Sequence, residues 1–198
     1  MQSRTDELVV LLDENNQPVG IMPKHEVHSD TTPYHYAFSC YLFNRAGTHV
    51  LMTRRATTKQ TWPGVWTNTC CGHPGHTESL TGAAIRRASF ELGVEALDLK
   101  VAVPEFSYRA VDASGMVENE FCPILIGTLD ADPQPNPDEV CDWAWVPWET
   151  VVTIASDAPS LLSPWSVEQI QRLTHVLGSD LAASAQAVAG TRSDVRGV

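Results

Sequence analysis

Cys71 and His73 stand two residues apart inside the stretch WPGVWTNTCCGHP, residues 62–74, and wherever the backbone is extended that spacing turns both side chains the same way. A thiol and an imidazole would then share one wall of a pocket. Trp62, Trp66, the turn-forming Pro63-Gly64 pair and Gly72 surround them, a composition suited to a rigid, partly apolar wall rather than a mobile surface loop. Cys70 comes directly before Cys71, and the same alternation sends its thiol to the opposite face as a small buried hydrophobe. Further along, Glu118 and Glu120 fall on one face of an extended segment, with Asn119 and Phe121 on the other. Carboxylates so spaced are usually a solvated face; inside a pocket they repel unless a cation sits between them.

The elements that must carry these groups can be read from pattern. Residues 7–13 and 19–22 read as strands of a hairpin around the polar turn 14–18. A polar run from Lys24 to Asp30 follows, then a central strand over 35–43, with His28 and His35 bracketing its entry. Asn44-Arg45-Ala46-Gly47 is a turn signal, and the return strand 50–53 ends on Arg54 and Arg55, with Lys59 just beyond. After His73 the apolar period becomes helical through Leu92, with Thr77 or Ser79 able to cap the start and Gly93 suited to the C′ position. Arg87 and Glu91, four apart, share one face of that helix. Two long strands, 97–111 and 117–129, are joined by the turn 112–115, and a proline-rich loop spans 131–139. A strand over 140–146 and helices over 148–155 and from Ser166 complete the pattern. Residues 1–178 are expected to form one domain and 179–198, small and polar, a disordered tail.

Composition narrows the classes of partner. A net charge of −11 argues against nucleic acid and anionic membrane surfaces, so an anionic ligand must meet a local basic cluster. The five cysteines form an odd set without a CxxC pair, and the N-terminal segment lacks a signal-like apolar core, which points to a reducing cytoplasmic setting. No run approaches the roughly 18 apolar residues of a membrane span.

The helix and its flanks read Gly72-x5-Glu78-x7-Arg86-x4-Glu91-x-Gly93-Val94, which resembles the Nudix box, a loop-helix-loop whose glutamates hold divalent metal against a diphosphate. That family places further glutamates where this chain has Arg87 and Phe90, and losing two carboxylates weakens the case for diphosphate cleavage. Together with WPGVWTN, CCGHP, YRA at 108–110, ENE at 118–120 and SPW at 163–165, the chain closely resembles the type I isopentenyl-diphosphate isomerases, from the first strand to about residue 175.

The resemblance implies an α+β, Nudix-like fold, a mixed β-sheet flanked by helices in an α/β/α sandwich. It implies Cys71 and Glu120 as the catalytic pair, with Tyr108 and Trp165 as an aromatic wall. It places His28, His35, His73, Glu118 and Glu120 around a divalent ion, for which imidazoles and carboxylates suit Mn²⁺, Mg²⁺ or Zn²⁺. Lys24, Arg55, Lys59 and Arg87 would bind the diphosphate, and Glu91 would hold a Mg²⁺ bridging its oxygens. The implied substrate is a small prenyl diphosphate, and the chain is expected to be a monomer. A Nudix-type diphosphate hydrolase and a catalytically silent ligand-binding module are the competing readings.

Overall fold

The computed structural model describes residues 7–94 and 97–177; the tail expected over 179–198 lies outside them. The chain opens with the expected hairpin, β1 (Leu8–Leu12) antiparallel to β2 (Pro18–Pro23). Its turn is held by the Asp13 carboxylate, which accepts from the backbone N–H groups of Asn15 and Gln17. Asn16 sits there with φ of 60°, a left-handed conformation that asparagine tolerates. The polar run that follows contains a single helical turn, α1 (Lys24–Val27), which the sequence pattern did not foresee and which buries only Val27.

The expected central strand 35–43 is divided into β3 (His35–Tyr36) and β4 (Phe38–Phe43), which belong to different sheets. Next come β5 (His49–Arg55), β6 (Trp66–Thr67) and β7 (Cys70–Gly72), then α2 (Leu80–Leu92). Ser79 caps α2 by accepting from the Gly82 N–H, and Gly93 ends it with φ of 64°, the conformation glycine adopts without a Cβ penalty. The long strands expected over 97–111 and 117–129 are each divided as well. They become β8 (Leu99–Val103) with β9 (Ser107–Val111), and β10 (Val117–Phe121) with β11 (Ile124–Thr128). β12 (Val140–Pro147), α3 (Trp148–Asp157) and α4 (Pro164–Leu177) complete the fold.

All three divisions fall where the chain crosses from one sheet to the other. Pro104 and Pro123 fall in two of the gaps, where a residue without an N–H interrupts a ladder. Register nevertheless runs straight through: Glu120 pairs with His35 and Ile124 with Ser39 in the same parallel sense. The Ala37 N–H donates to the Phe121 carbonyl across the gap. The strand pair therefore bends as a unit out of a five-stranded sheet, β2-β1-β3-β10-β9, and into a larger one with the path β12-β5-β4-β11-β8. The mixed sheet expected from sequence is two sheets sharing a corner.

Helices cover both faces of the larger sheet. Phe38, Cys40 and Leu42 of β4 pack with Ala83, Ala84, Ala88 and Leu92 of α2, while Tyr41 and Phe43 point oppositely, into the cluster with Trp148, Trp165 and Ile170 of α3 and α4. Burial on both faces explains the largely apolar text of β4, all six of whose residues, Ser39 included, are buried. Cys70 joins the α2 cluster, as alternation predicts. No helix among the described residues is long and apolar enough to cross a membrane.

Candidate active site

At the corner between the sheets lies a cleft of about 560 Å³. Its walls include Cys71, His73, Tyr108, Glu118, Glu120 and Trp165, with Arg55 beside Trp165, and also Lys24, Lys59, Arg87, Glu91 and Glu139. His28 also lines it. His35 does not; it is fully buried and reaches Glu120 from behind, its Nε2 3.4 Å from Oε1. The residues singled out in the sequence are thus gathered at one place, by elements from all parts of the chain.

The histidines arrive on three segments. His35 opens β3 beside Glu120 of β10, its register partner; His73 follows β7; His28 follows α1. Their ring centroids are 5.1 to 5.9 Å apart. One ligand atom from each, with a Glu120 oxygen, lies within 4.8 Å of all the others. Glu118 faces the same group, its Oε2 3.0 Å from His28 Nε2, on the face shared with Glu120 by strand alternation.

The hydrogen bonding around this group is incomplete. Although His28 Nε2 and Glu118 Oε2 are 3.0 Å apart and His35 Nε2 is 3.4 Å from Glu120, these approaches lack hydrogen-bond geometry, and His28 Nε2, His35 Nε2, His73 Nδ1 and Glu118 Oε2 are buried without a hydrogen bond, a concentration of unsatisfied polar atoms that a folded protein rarely tolerates. His35 Nδ1 is 2.8 Å from the Pro33 carbonyl, and if it carries the proton there, Nε2 presents a lone pair to the cluster. Burial drives the His73 pKa down to about 3, keeping that ring neutral. Burial also opposes charge on Glu120, but His35 and His73 outweigh it and hold the carboxyl well below the usual range. Three imidazoles and two carboxylates converging with unsatisfied atoms between them fit a divalent metal ion.

Beside this cluster sit the groups that can handle protons. Tyr108, paired with Glu120 across β9 and β10, donates its O–H to Glu120 Oε2 at 2.8 Å. Burial, reinforced by Glu120 and Glu118, raises the phenol well above its ordinary pKa, so it stays a donor. Cys71 projects from β7, and burial pushes its thiol up to about 12, with the neighbouring Glu120 adding to the rise and Ser39 and Asn68 opposing it. It is therefore a protonated thiol near neutral pH. Trp165, at the start of α4, completes an aromatic wall: its ring lies 5.7 Å from Tyr108 and 5.2 Å from Trp62. The Arg55 guanidinium lies over it, 5.6 Å from the ring centre.

The cationic part of the cleft is dense with paired charge. Lys24 Nζ lies 2.5 Å from Glu7 Oε2, and Arg86 and Arg87 approach the other Glu7 oxygen at 3.3 and 3.4 Å. Arg87, nearly buried, also pairs with Glu91 and with Glu139, and Lys59 pairs with Glu139. Arg55 instead donates to the carbonyl and hydroxyl of Thr61. Glu7, Glu139, Asn68 and Ser39 were not singled out by sequence. Glu7 looked like a strand start and Glu139 the end of a proline-rich loop, and nothing local marks either as facing a cleft. Asn68 did carry a signal, since it belongs to the WPGVWTN motif.

Comparison with known proteins agrees with this geometry. The NUDIX domain model matches residues 33–170. Among solved structures, DR0079 from Deinococcus radiodurans superposes with a TM-score of 0.65 at 20% identity, covering 84% of this chain and 99% of that one; the likeness is one of fold. An isopentenyl-diphosphate Delta-isomerase from Kocuria rhizophila is 51% identical over 86% of this chain and 94% of its own length. One from Citrobacter koseri is 50% identical over 83% and 91%. With a domain match across most of its length and about half of the aligned residues shared with such relatives, the chain belongs to the isopentenyl-diphosphate Delta-isomerase family of NUDIX-domain proteins.

Proposed function

We propose that this protein interconverts isopentenyl diphosphate and dimethylallyl diphosphate. The observation that carries the reading is a thiol, Cys71, sharing one cleft with a carboxylate-phenol pair, Glu120 and Tyr108. Moving the double bond requires a proton added at the terminal methylene and another removed from the carbon two bonds away, with no net change in composition. An unactivated alkene is a very weak base, so the path crosses a tertiary, carbocation-like state that water would quench. Cys71 and Glu120 are the acid and base, working from opposite faces of the substrate. Tyr108 orients Glu120 through its hydrogen bond. Trp165 offers its π face to the positive charge, an interaction of about 2 kcal/mol or more in a desolvated site.

Lys24, Arg55, Lys59 and Arg87 hold the diphosphate, exchanging their present carboxylate or carbonyl partners for phosphate oxygens. His28, His35, His73, Glu118 and Glu120 would hold a divalent ion, Mn²⁺, Mg²⁺ or Zn²⁺, and Glu91 a Mg²⁺ shared with the diphosphate. When bound, these ions supply fixed positive charge beside the carboxylates and the phosphates. The cleft-facing side of α2 argues against hydrolysis. Arg86, Arg87, Phe90 and Glu91 line the cleft from α2, a single carboxylate among cations and an aromatic ring, which suits holding a diphosphate intact.

Incubation with isopentenyl diphosphate and Mg²⁺ in heavy water tests the reading. Deuterium in a dimethylallyl product is the expected result, and Cys71→Ala is expected to abolish it while leaving the fold intact. Phosphate release would instead indicate a hydrolase, and unchanged substrate would sink both.

A further inference from the structure

One buried side chain touches both Cys71 and Trp165 and has no part in the chemistry proposed above. Asn68, between β6 and β7, is fully buried, and its surroundings dictate which way its amide faces. The Trp165 indole N–H, which can only donate, lies 3.1 Å from Oδ1, and the Cys70 carbonyl, which can only accept, lies 2.7 Å from Nδ2. The Thr67 hydroxyl donates a further bond to Oδ1 at 2.8 Å, and the Asn68 backbone N–H is held by Ser166 Oγ at 3.0 Å. Against this fixed amide rests the Cys71 sulfur, 3.1 Å from Nδ2 and 3.2 Å from Oδ1. A thiol there can donate to Oδ1. Nδ2, whose second hydrogen faces both this sulfur and the Cys40 carbonyl at 3.3 Å, can donate to it.

From beneath, Ser39 Oγ lies 3.4 Å from the same sulfur. That hydroxyl accepts from Gln169 Nε2 at 2.9 Å, and Gln169 is oriented in turn by the Tyr41 O–H at 3.0 Å. With its acceptor side so engaged, the Ser39 hydrogen is left for sulfur, that of Cys71 or of Cys122, also 3.4 Å away.

We propose that Asn68 is a positioning residue for the isomerisation: one immobilised amide that holds the Cys71 sulfur and ties Trp165 to the same point, with Ser39 as an auxiliary donor. The proposal rests on the isomerase reading. It makes Asn68 act on the proton transfers, and its hydrogen bonds go to Trp165, Cys70 and Cys71 rather than to any of the diphosphate cations, so the loss should appear in kcat more than in KM.

Turnover of isopentenyl diphosphate by wild type, Asn68→Asp, Asn68→Ala and Ser39→Ala, each with its Tm, tests this. Asn68→Asp keeps the size and the acceptor for Trp165 while removing the donor to sulfur together with that to the Cys70 carbonyl, whose structural cost the Tm reads. It is expected to lower kcat roughly 100-fold with KM within about threefold of wild type. Asn68→Ala should do at least as much, and Ser39→Ala roughly three- to tenfold. The two near-isosteric variants carry the test if Asn68→Ala does not fold. Retention of kcat within about twofold in Asn68→Asp, or a loss residing in KM alone, would overturn the proposal. A wild type that incorporates no deuterium would instead remove the isomerase reading, and this inference with it.

Discussion

Replacing Glu7 by Gln removes the carboxylate on which Lys24, Arg86 and Arg87 converge, at almost constant volume. Burial opposes charge on Glu7, yet the Lys24 ammonium beside it and the two arginines outweigh this and bring its pKa from 4.5 to about 2. At about 1.4 kcal/mol per unit, that difference corresponds to about 3 kcal/mol of folding free energy at neutral pH. A side chain 27% exposed loses part of this to solvent screening, and roughly half is a fair remainder. Glu7→Gln should therefore cost about 1.5 kcal/mol at pH 7. Because the folded-state pKa lies below the unfolded one, the stabilisation is complete above about pH 4.5, shrinks as pH falls and is gone below about 2. Urea unfolding followed by tryptophan fluorescence at pH 7, 5, 4 and 3 measures the gap between the two proteins. It should be widest at pH 7 and fall to about half or less by pH 3. A gap that stays constant or widens on acidification would refute the reasoning, as would none at pH 7.

A Cβ added at Gly72 would lie 2.7 Å from Arg87 Cγ and 3.2 Å from Phe38 Cε1, so Gly72→Ala should displace the guanidinium and raise KM for the diphosphate roughly tenfold or more, read by steady-state kinetics. Dialysis against EDTA should stop turnover, and His35→Ala should leave the purified protein nearly free of divalent metal by elemental analysis, since His35 is one of the four clustered ligands; metal retained at the wild-type level would argue against the site. Gly127→Ala would place a methyl 2.5 Å from Leu99 Cδ2 and 2.7 Å from the Asp98 carbonyl oxygen, and should lower Tm by roughly 5 °C without affecting KM.

Local pattern was legible wherever local physics decides the outcome. The period change after His73, the Ser79 cap and the left-handed Gly93 fix α2 within the chain itself. Strand alternation correctly separated Cys70 from Cys71 and put Glu118 and Glu120 on one face. The bends at Ala37 and Cys122-Pro123 were not legible, because a strand pair that crosses from one sheet to another keeps an apolar text on both sides of the kink. In the site, the histidines and carboxylates could be named because each motif is short and chemically unusual. Glu7 and Glu139 could not, since their significance comes only from cations delivered by α1, α2 and the loop after β5.

The bent parallel pair also sets when the site can exist. Its contacts join residues 85 positions apart, as in the hydrogen bond from the Thr32 hydroxyl to the Val117 carbonyl, and closing so long a stretch of chain delays a contact during folding. β7 can dock on β4 across a much shorter separation. A nascent chain can thus assemble the ledge bearing Cys71 before the carboxylates arrive opposite it, and during that interval the thiol stands without the Glu120 and Tyr108 it faces in the finished cleft.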